Sequence, residues 1–177
     1  MNKSTIILIT VLFSAIFITS CKDDKVKLEN KHYHEFKKPL RNVNNILVDK
    51  DSLRITSYCK RRKWDIKITD TGLFYEIYHQ ENGDSVYPGN HVLINYTVSL
   101  LDGTVCYSTD TTGPETFKLG HGVAEMGLEQ GLLMMQAGDK AHLILPPHLA
   151  HGLIGDEYKI PPRSIIIYDV ELLKVFK

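Results

Sequence analysis

The chain has 177 residues, of which 43% are hydrophobic, 24% charged and 9% aromatic. Lys+Arg 21 balances Asp+Glu 21, which excludes a nucleic-acid binder relying on bulk charge, and the apolar content excludes a disordered chain. Three cysteines are too few for a disulfide-rich scaffold, so the expectation is one ordinary globular domain plus extras.

The N-terminus reads as an address. Lys3 precedes an apolar run from Ile6 to Ile18, broken only by Thr10 and Ser14. That length suits a signal-peptide core, because a membrane-crossing helix needs about 20 residues. Ile18-Thr19-Ser20-Cys21 resembles the bacterial lipobox, which implies a lipoprotein signal peptide over 1–20 and lipidation of Cys21. An ordinary signal peptide with a chance cysteine is the competing reading, and the polar Lys22-Asp23-Asp24-Lys25 directly after the cysteine favours the lipoprotein. Residues 1–20 hold one charged side chain, Lys3, so the remainder stays near neutral and the lipid alone would hold it on a membrane. Lys22 after the cysteine reads as an outer-membrane destination in the bacterial envelope. The early Lys-Asp-Asp resembles the surface-export tag of Bacteroidetes-type bacteria, which leaves periplasmic face and cell surface both open.

Residues 21–50 are polar and charge-mixed and read as a lipid-anchored tether. Residues 51–68 form a helical extension: Asp51-Ser52 caps a helix running to about Lys63, with Ile55, Tyr58 and Cys59 on one face. Lys60-Arg61-Arg62-Lys63 in its last turn suits the helix dipole, so this charge run reads as capping rather than as a binding patch. Trp64 is the anchor expected to pack this helix on the main domain, residues 69–177. There the periodicity changes to two. Strands are expected over Gly72–His79, His91–Leu101, Thr104–Tyr107, Glu115–Leu119, Lys140–Leu145 and Ser164–Val175. Glu81–Asp84 reads as a turn and Asp102-Gly103 as a hairpin. Leu128, Leu132 and Met135 predict one helix over Glu125–Gln136, stopped by Gly138. The fold class is α+β: a curved antiparallel β-sheet wrapped around one short α-helix, preceded by the helical extension.

Three stretches together resemble the FK506-binding-protein (FKBP) type of peptidyl-prolyl cis-trans isomerase. The first is Val92–Thr97 (VLINYT) continuing through Leu101-Asp102-Gly103. The second is Phe117–Gly120 (FKLG), then Gly127–Leu132 (GLEQGL) and Met135–Lys140 (MQAGDK). The third is Leu145–Gly152 (LPPHLAHG), Ile160-Pro161-Pro162 and Tyr168–Leu172 (YDVEL). The likeness runs from about Gly72 to Phe176. Arg61–Trp64 and Gly72–Ile77 also look like gliding-motility-associated FKBP-type lipoproteins.

The resemblance implies an FKBP-like fold and rotation of X-Pro bonds, whose barrier of about 20 kcal/mol makes the unaided reaction slow. The chemistry needs a dry aromatic niche and one or two donors for peptide carbonyls. It implies no metal, cofactor or nucleophile. By alignment, Tyr96, His151 and Tyr168 take the catalytic positions, while Tyr107, Phe117, Ala124, Glu125, Leu128 and Ile160 take substrate-binding ones. Several positions depart from the family. Cys106-Tyr107-Ser108 stands for Phe-Asp-Ser, so the expected aspartate is absent, and Tyr107 either fills part of the pocket or points to solvent. Glu115 takes a usual aromatic position, Ala124-Glu125 replaces Val-Ile, Leu128 replaces tryptophan, and His151 replaces a tyrosine that donates to a substrate carbonyl.

Other clusters read more plainly. Cys59 and Cys106 are expected as free thiols, with a bridge as the alternative, and Cys106 as a small apolar filler. His148 and His151, with His142 and His121, invite a metal reading, but no third ligand has recognisable spacing. Glu125 and Glu129 form an i,i+4 like-charge pair and read as an exposed helix face. The partners expected are proline-containing segments of envelope proteins and a membrane reached through Cys21, with no nucleic acid. A different class, a non-catalytic binding or assembly module with a degenerate pocket, is the second hypothesis.

Overall fold

The structure, a computed structural model, describes residues 30–122 and 124–176, with side chains from residue 45 onward. The signal segment and Cys21 lie outside the described residues. The chain divides into two units, Met1–Arg41 and Asn42–Lys177; of the first, the described part is helical backbone from Asn30.

Helix α1 spans Asn30–Arg62. It therefore takes in residues 30–50, which the polar composition places in the tether, and Asp51 lies inside the helix rather than capping it. The end matches expectation: Lys63 adopts φ 60° and the Trp64 N–H bonds back to the Cys59 carbonyl at 3.2 Å, closing the last turn. Ile55, Tyr58 and Cys59 are buried, as their spacing on one face requires.

The strands follow as β1 (Lys67–Ile68), β2 (Phe74–His79), β3 (His91–Leu100), β4 (Val105–Ser108), β5 (Glu115–Lys118), β6 (Lys140–Leu145) and β7 (Ile166–Phe176). They form one antiparallel sheet in the order β1-β2-β6-β7-β3-β4, with β5 also paired to β3. Because β4 pairs Thr97–Ser99 and β5 pairs His91–Ile94, the two short strands share one edge of β3, and the chain between them leaves the sheet at that point. Residues 81–84 do not form the expected turn, and β2 pairs β6 rather than β3. The β2–β3 link is instead pinned by buried Asp139, which accepts from the N–H groups of Glu81 and Gln136, each at 2.8 Å.

The alternation along β7 shows how the sheet is packed. Ile166, Tyr168, Val170 and Leu172 face one core, with Leu128 and Leu132 of the short helix α2 (Met126–Leu132) and Leu143 and Leu145 of β6. Ile167, beside Ile144, faces a second core completed by Ile55, Tyr58 and Cys59 of α1. The sheet thus has helices on both faces. Trp64 is partly buried against the second core, stacking on His142 at 3.8 Å between ring centroids and meeting Tyr58 edge-on. Both Cys59 and Cys106 are free thiols and buried.

Helix α2 is shorter than Glu125–Gln136. Leu133 is its C-cap, and the N–H groups of Met134 and Met135 bond three residues back, a tightening that turns the chain toward Gly138 and β6. Met135 remains buried although it lies beyond the helix, which is why the apolar spacing overstates the length. Gly127 and Gly131 let the helix lie on β6: a Cβ at these positions would run into Leu145 and Leu143 respectively.

Candidate active site

Register places the aromatic residues. Val98 in β3 faces Tyr168 of β7 on one side and Tyr107 of β4 on the other, so three neighbouring strands present Tyr168, Val98 and Tyr107 in one row. Two residues along β3, Tyr96 lies on the same face, its ring centroid 5.6 Å from that of Tyr168. Pairing of Val92 with Phe117 brings β5 to the same side. The result is a cavity of about 310 Å³ lined by Tyr96, Val98, Tyr107, Glu115, Phe117, Ala124, Glu125, Leu128, His151, Asp156 and Tyr168. Phe117, Leu128 and Tyr168 are buried and form its apolar depth, while Tyr96 and Tyr107 are half-buried.

Eight of the nine aligned positions therefore meet around one cavity. Ile160 is the exception: it is buried in the core and its side chain is not among the walls. Its backbone contributes instead, because the Ile160 N–H donates to Asp156 Oδ1 at 2.7 Å and the Asp156 N–H returns to the Ile160 carbonyl at 3.1 Å. Tyr107 takes the inward alternative.

Three phenols in the cavity each donate to a carboxylate. Tyr96 donates to Glu115 Oε2 at 2.6 Å, Tyr168 to Glu125 Oε2 at 2.8 Å, and Tyr107 to Asp156 Oδ2. Burial, reinforced by the Glu115 hydrogen bond, pushes the Tyr96 phenol upward, and burial with the Glu125 charge does the same to Tyr168. The hydrogen bond to Asp156, followed by burial, pushes Tyr107 up to about 12. Burial works against ionisation of Asp156, but donors from Tyr107 and the backbone of Ile160, Tyr158 and Lys159 outweigh it and hold the carboxyl at about 2. The opposite shifts of Tyr107 and Asp156 keep the proton on that phenol.

Glu125 is not part of an exposed helix face. It is half-buried, and its second oxygen, Oε1, lies 2.8 Å from His151 Nε2. That contact has ion-pair distance without hydrogen-bond alignment, so the buried Nε2 atom lacks a well-directed partner. Glu129 points elsewhere, accepting from the Gly120 N–H at 3.3 Å. The histidines take separate roles: His142 pairs with Glu76 at 3.2 Å, and His148 Nε2 sits 3.0 Å from the Thr71 carbonyl. Among the described residues no three His, Cys, Asp or Glu side chains are grouped to hold a metal.

Asp156 is the site residue that sequence reasoning missed. It returns a carboxylate to a cavity whose expected aspartate is replaced by Tyr107, and it comes from a different loop. Gly155, at φ +78°, turns the chain there, and a Cβ would strike the Ile160 carbonyl. A glycine before an acid in a loop was the available signal.

The arrangement is an apolar, aromatic cleft with a polar rim and no assembled nucleophile. Such a site can take up a small ring and favour a less polar, twisted amide over a well-solvated planar one. Residues 83–173, just over half of the chain, match the family described as FKBP-type peptidyl-prolyl cis-trans isomerase. The chain is 39% identical over 105 residues to the FK506-binding protein 2 of Yarrowia lipolytica, covering 59% of this chain and 73% of that one. It is 37% identical over 89 residues to human Peptidyl-prolyl cis-trans isomerase FKBP9, covering 49% of this chain but only 15% of the relative's length. The crystal structure of FkpA from Escherichia coli superposes with a TM-score of 0.63 at 26% identity, covering 99% of this chain and 83% of that one.

Proposed function

Because the chain belongs to the FKBP-type peptidyl-prolyl cis-trans isomerase family, we propose that it rotates X-Pro bonds in envelope proteins, as a folding helper anchored at the outer membrane by lipid on Cys21. The observation that carries the activity is the cavity itself: Tyr96, Phe117, Leu128 and Tyr168 converge on one cleft of about 310 Å³. A prolyl ring seated there leaves its amide among aromatic faces, where loss of conjugation and carbonyl dipole costs less than in water. Catalysis by rotation requires only that this preference be stronger for the twisted state than for the planar one.

An isomerase assay on an X-Pro peptide, protease-coupled or by NMR exchange, tests the proposal. The full chain is expected to accelerate exchange, and Tyr168→Ala to remove the acceleration. A rate equal to buffer with a folded chain overturns it. For the anchor, labelling with radioactive palmitate should mark the protein and fail in Cys21→Ser; equal labelling of the variant overturns that part.

One observation favours a second reading, a non-catalytic binding module of a gliding-motility or envelope machine. The phenols of Tyr96, Tyr107 and Tyr168 are all engaged by carboxylates, so none is free to donate to a substrate carbonyl. On that reading Tyr168→Ala leaves cellular function intact; a phenotype equal to deletion excludes it.

A further inference from the structure

The three carboxylates of the cavity are not equivalent. Glu125 is held by Tyr168 and His151, and Asp156 by Tyr107 and two backbone N–H groups. Glu115 is exposed, accepts only from Tyr96, and has no Lys or Arg within ion-pair distance among the described residues. It also lines two spaces at once. Beyond the cavity lies a groove of about 420 Å³ that shares Tyr96, Tyr107 and Glu115 with it and continues over Thr111 and Thr112. A polypeptide with its proline in the cavity therefore lays a neighbouring residue in the groove, past Glu115.

We propose that Glu115 is a specificity-determining residue that selects Lys or Arg beside the substrate proline. The inference rests on reading the cavity as the prolyl site. Lys159 on the groove's other wall does not cancel the effect. Its ammonium lies over the Tyr107 ring, 5.0 Å from the centroid, and no ion pair joins it to Glu115 among the described residues. A basic side chain beside the proline supplies the counter-ion that Glu115 lacks, whereas an acidic one at the same place meets Glu115 with like charge. Glu115 stands where the aligned family places an aromatic residue, so the preference belongs to this chain.

The test is a peptide series with Lys, Leu or Glu on either side of the proline, read as kcat/KM and, in parallel, as affinity by NMR titration of the full chain. The Lys peptide is expected to exceed the Glu peptide roughly five- to tenfold on the favoured side, and the ratio to shrink between about 0.05 and about 0.5 M salt. Glu115→Gln, which keeps an acceptor for Tyr96, should bring the ratio to about one, Glu115→Lys should invert it, and Glu129→Gln should leave it unchanged. Equal values for Lys and Glu peptides, or a preference that survives Glu115→Gln, overturn the proposal. Absence of turnover with the affinity ratio intact counts against the isomerase reading alone and supports the role of Glu115. Turnover with a flat affinity series does the reverse.

Discussion

The Tyr168 hydroxyl and the His151 imidazole meet the same carboxylate, each 2.8 Å from one oxygen of Glu125. Two of the three residues that alignment puts at catalytic positions are thus tied to a residue that stands where the family has an aliphatic one. Tyr168 is 4% exposed, and Glu125 is the acceptor its hydroxyl meets.

Glu125→Ile should therefore separate affinity from stability. Isoleucine adds apolar surface to the cavity wall and releases the Tyr168 donor, and binding of a proline-mimetic macrolide should tighten about tenfold, equivalent to about 1.4 kcal/mol or some 50 Å² of apolar contact. The unpaired Tyr168 hydroxyl should cost about 1–3 kcal/mol of folding stability. Titration calorimetry and urea denaturation read the two effects. Unchanged affinity would show that the side chain at position 125 does not face the ligand.

The Tyr107–Asp156 bond should set both pH limits of this corner of the site. Asp156 is held at about 2 against a reference of 3.8, so its contribution is complete above pH 4 and is lost as pH falls toward 2. Tyr107 is raised to about 12 from 10.0, so its contribution is complete below pH 10 and is lost as pH rises toward 12. Asp156→Asn should flatten the acid limb of stability against pH, and Tyr107→Phe the alkaline limb. Urea midpoints between pH 2 and 12 check both, and wild-type slopes retained in either variant would place the titration elsewhere.

Much of the fold was legible because burial writes a local pattern. Tyr168 and Val170 alternate with Ile167 and Asp169 in β7, and the strand edges fall within two residues of expectation. The earlier part of α1 reads as a tether because it is polar, charge-mixed and holds Pro39, although Tyr33, Phe36, Leu40, Val43 and Leu47 keep helical spacing, and α2 reads too long because Met135 keeps helical spacing while packing from a turn. The walls of the cavity were foreseen by alignment, since Tyr96 and Tyr168 lie at positions the family keeps aromatic. The phenol–carboxylate pairs were not. Tyr107 and Asp156 are 49 residues apart, and Tyr168 and Glu125 are 43 apart. Sheet register and loop closure bring them together, and the local mark of the closure is Gly155, which turns the chain before Asp156. Ile160 meets the site through its backbone, which bonds Asp156 in both directions.

Asp51 gives a test of the extension. It is 7% exposed inside α1 and receives the Arg163 guanidinium at 2.7 Å, across 112 residues, from the loop that leads into β7. Asp51→Ala should destabilise by about 1–3 kcal/mol, because Arg163 is then left half-buried without its counter-ion. Asp51→Asn, which keeps an acceptor, should cost less. Chemical denaturation of both variants decides; equal costs would mean that shape, not charge, matters at this contact.

The glycines of α2 make the last case, because helix propensity and packing oppose each other there. Replacing a helical glycine by alanine ordinarily gains about 1 kcal/mol. At Gly131 the new Cβ would meet the Leu143 side chain, whose terminal methyls lie nearest, and small rotations of Leu143 offset part of the clash. At Gly127 it would meet Leu145 at its branch carbon and the Leu149 carbonyl oxygen at 3.1 Å, which is backbone and cannot yield without moving the turn before His151. Gly127→Ala should therefore destabilise by about 1–3 kcal/mol net of the propensity gain, and Gly131→Ala by clearly less. Leu128 is the next residue and floors the cavity, so Gly127→Ala should also lower kcat/KM on an X-Pro peptide, whereas Gly131→Ala, displacing only buried methyls away from the cleft, should not. Melting temperatures and assay rates for the two variants should rank in that same order; a larger loss at Gly131 would show that α2 moves as a rigid body and that the close approach at Leu145 is not what positions Leu128.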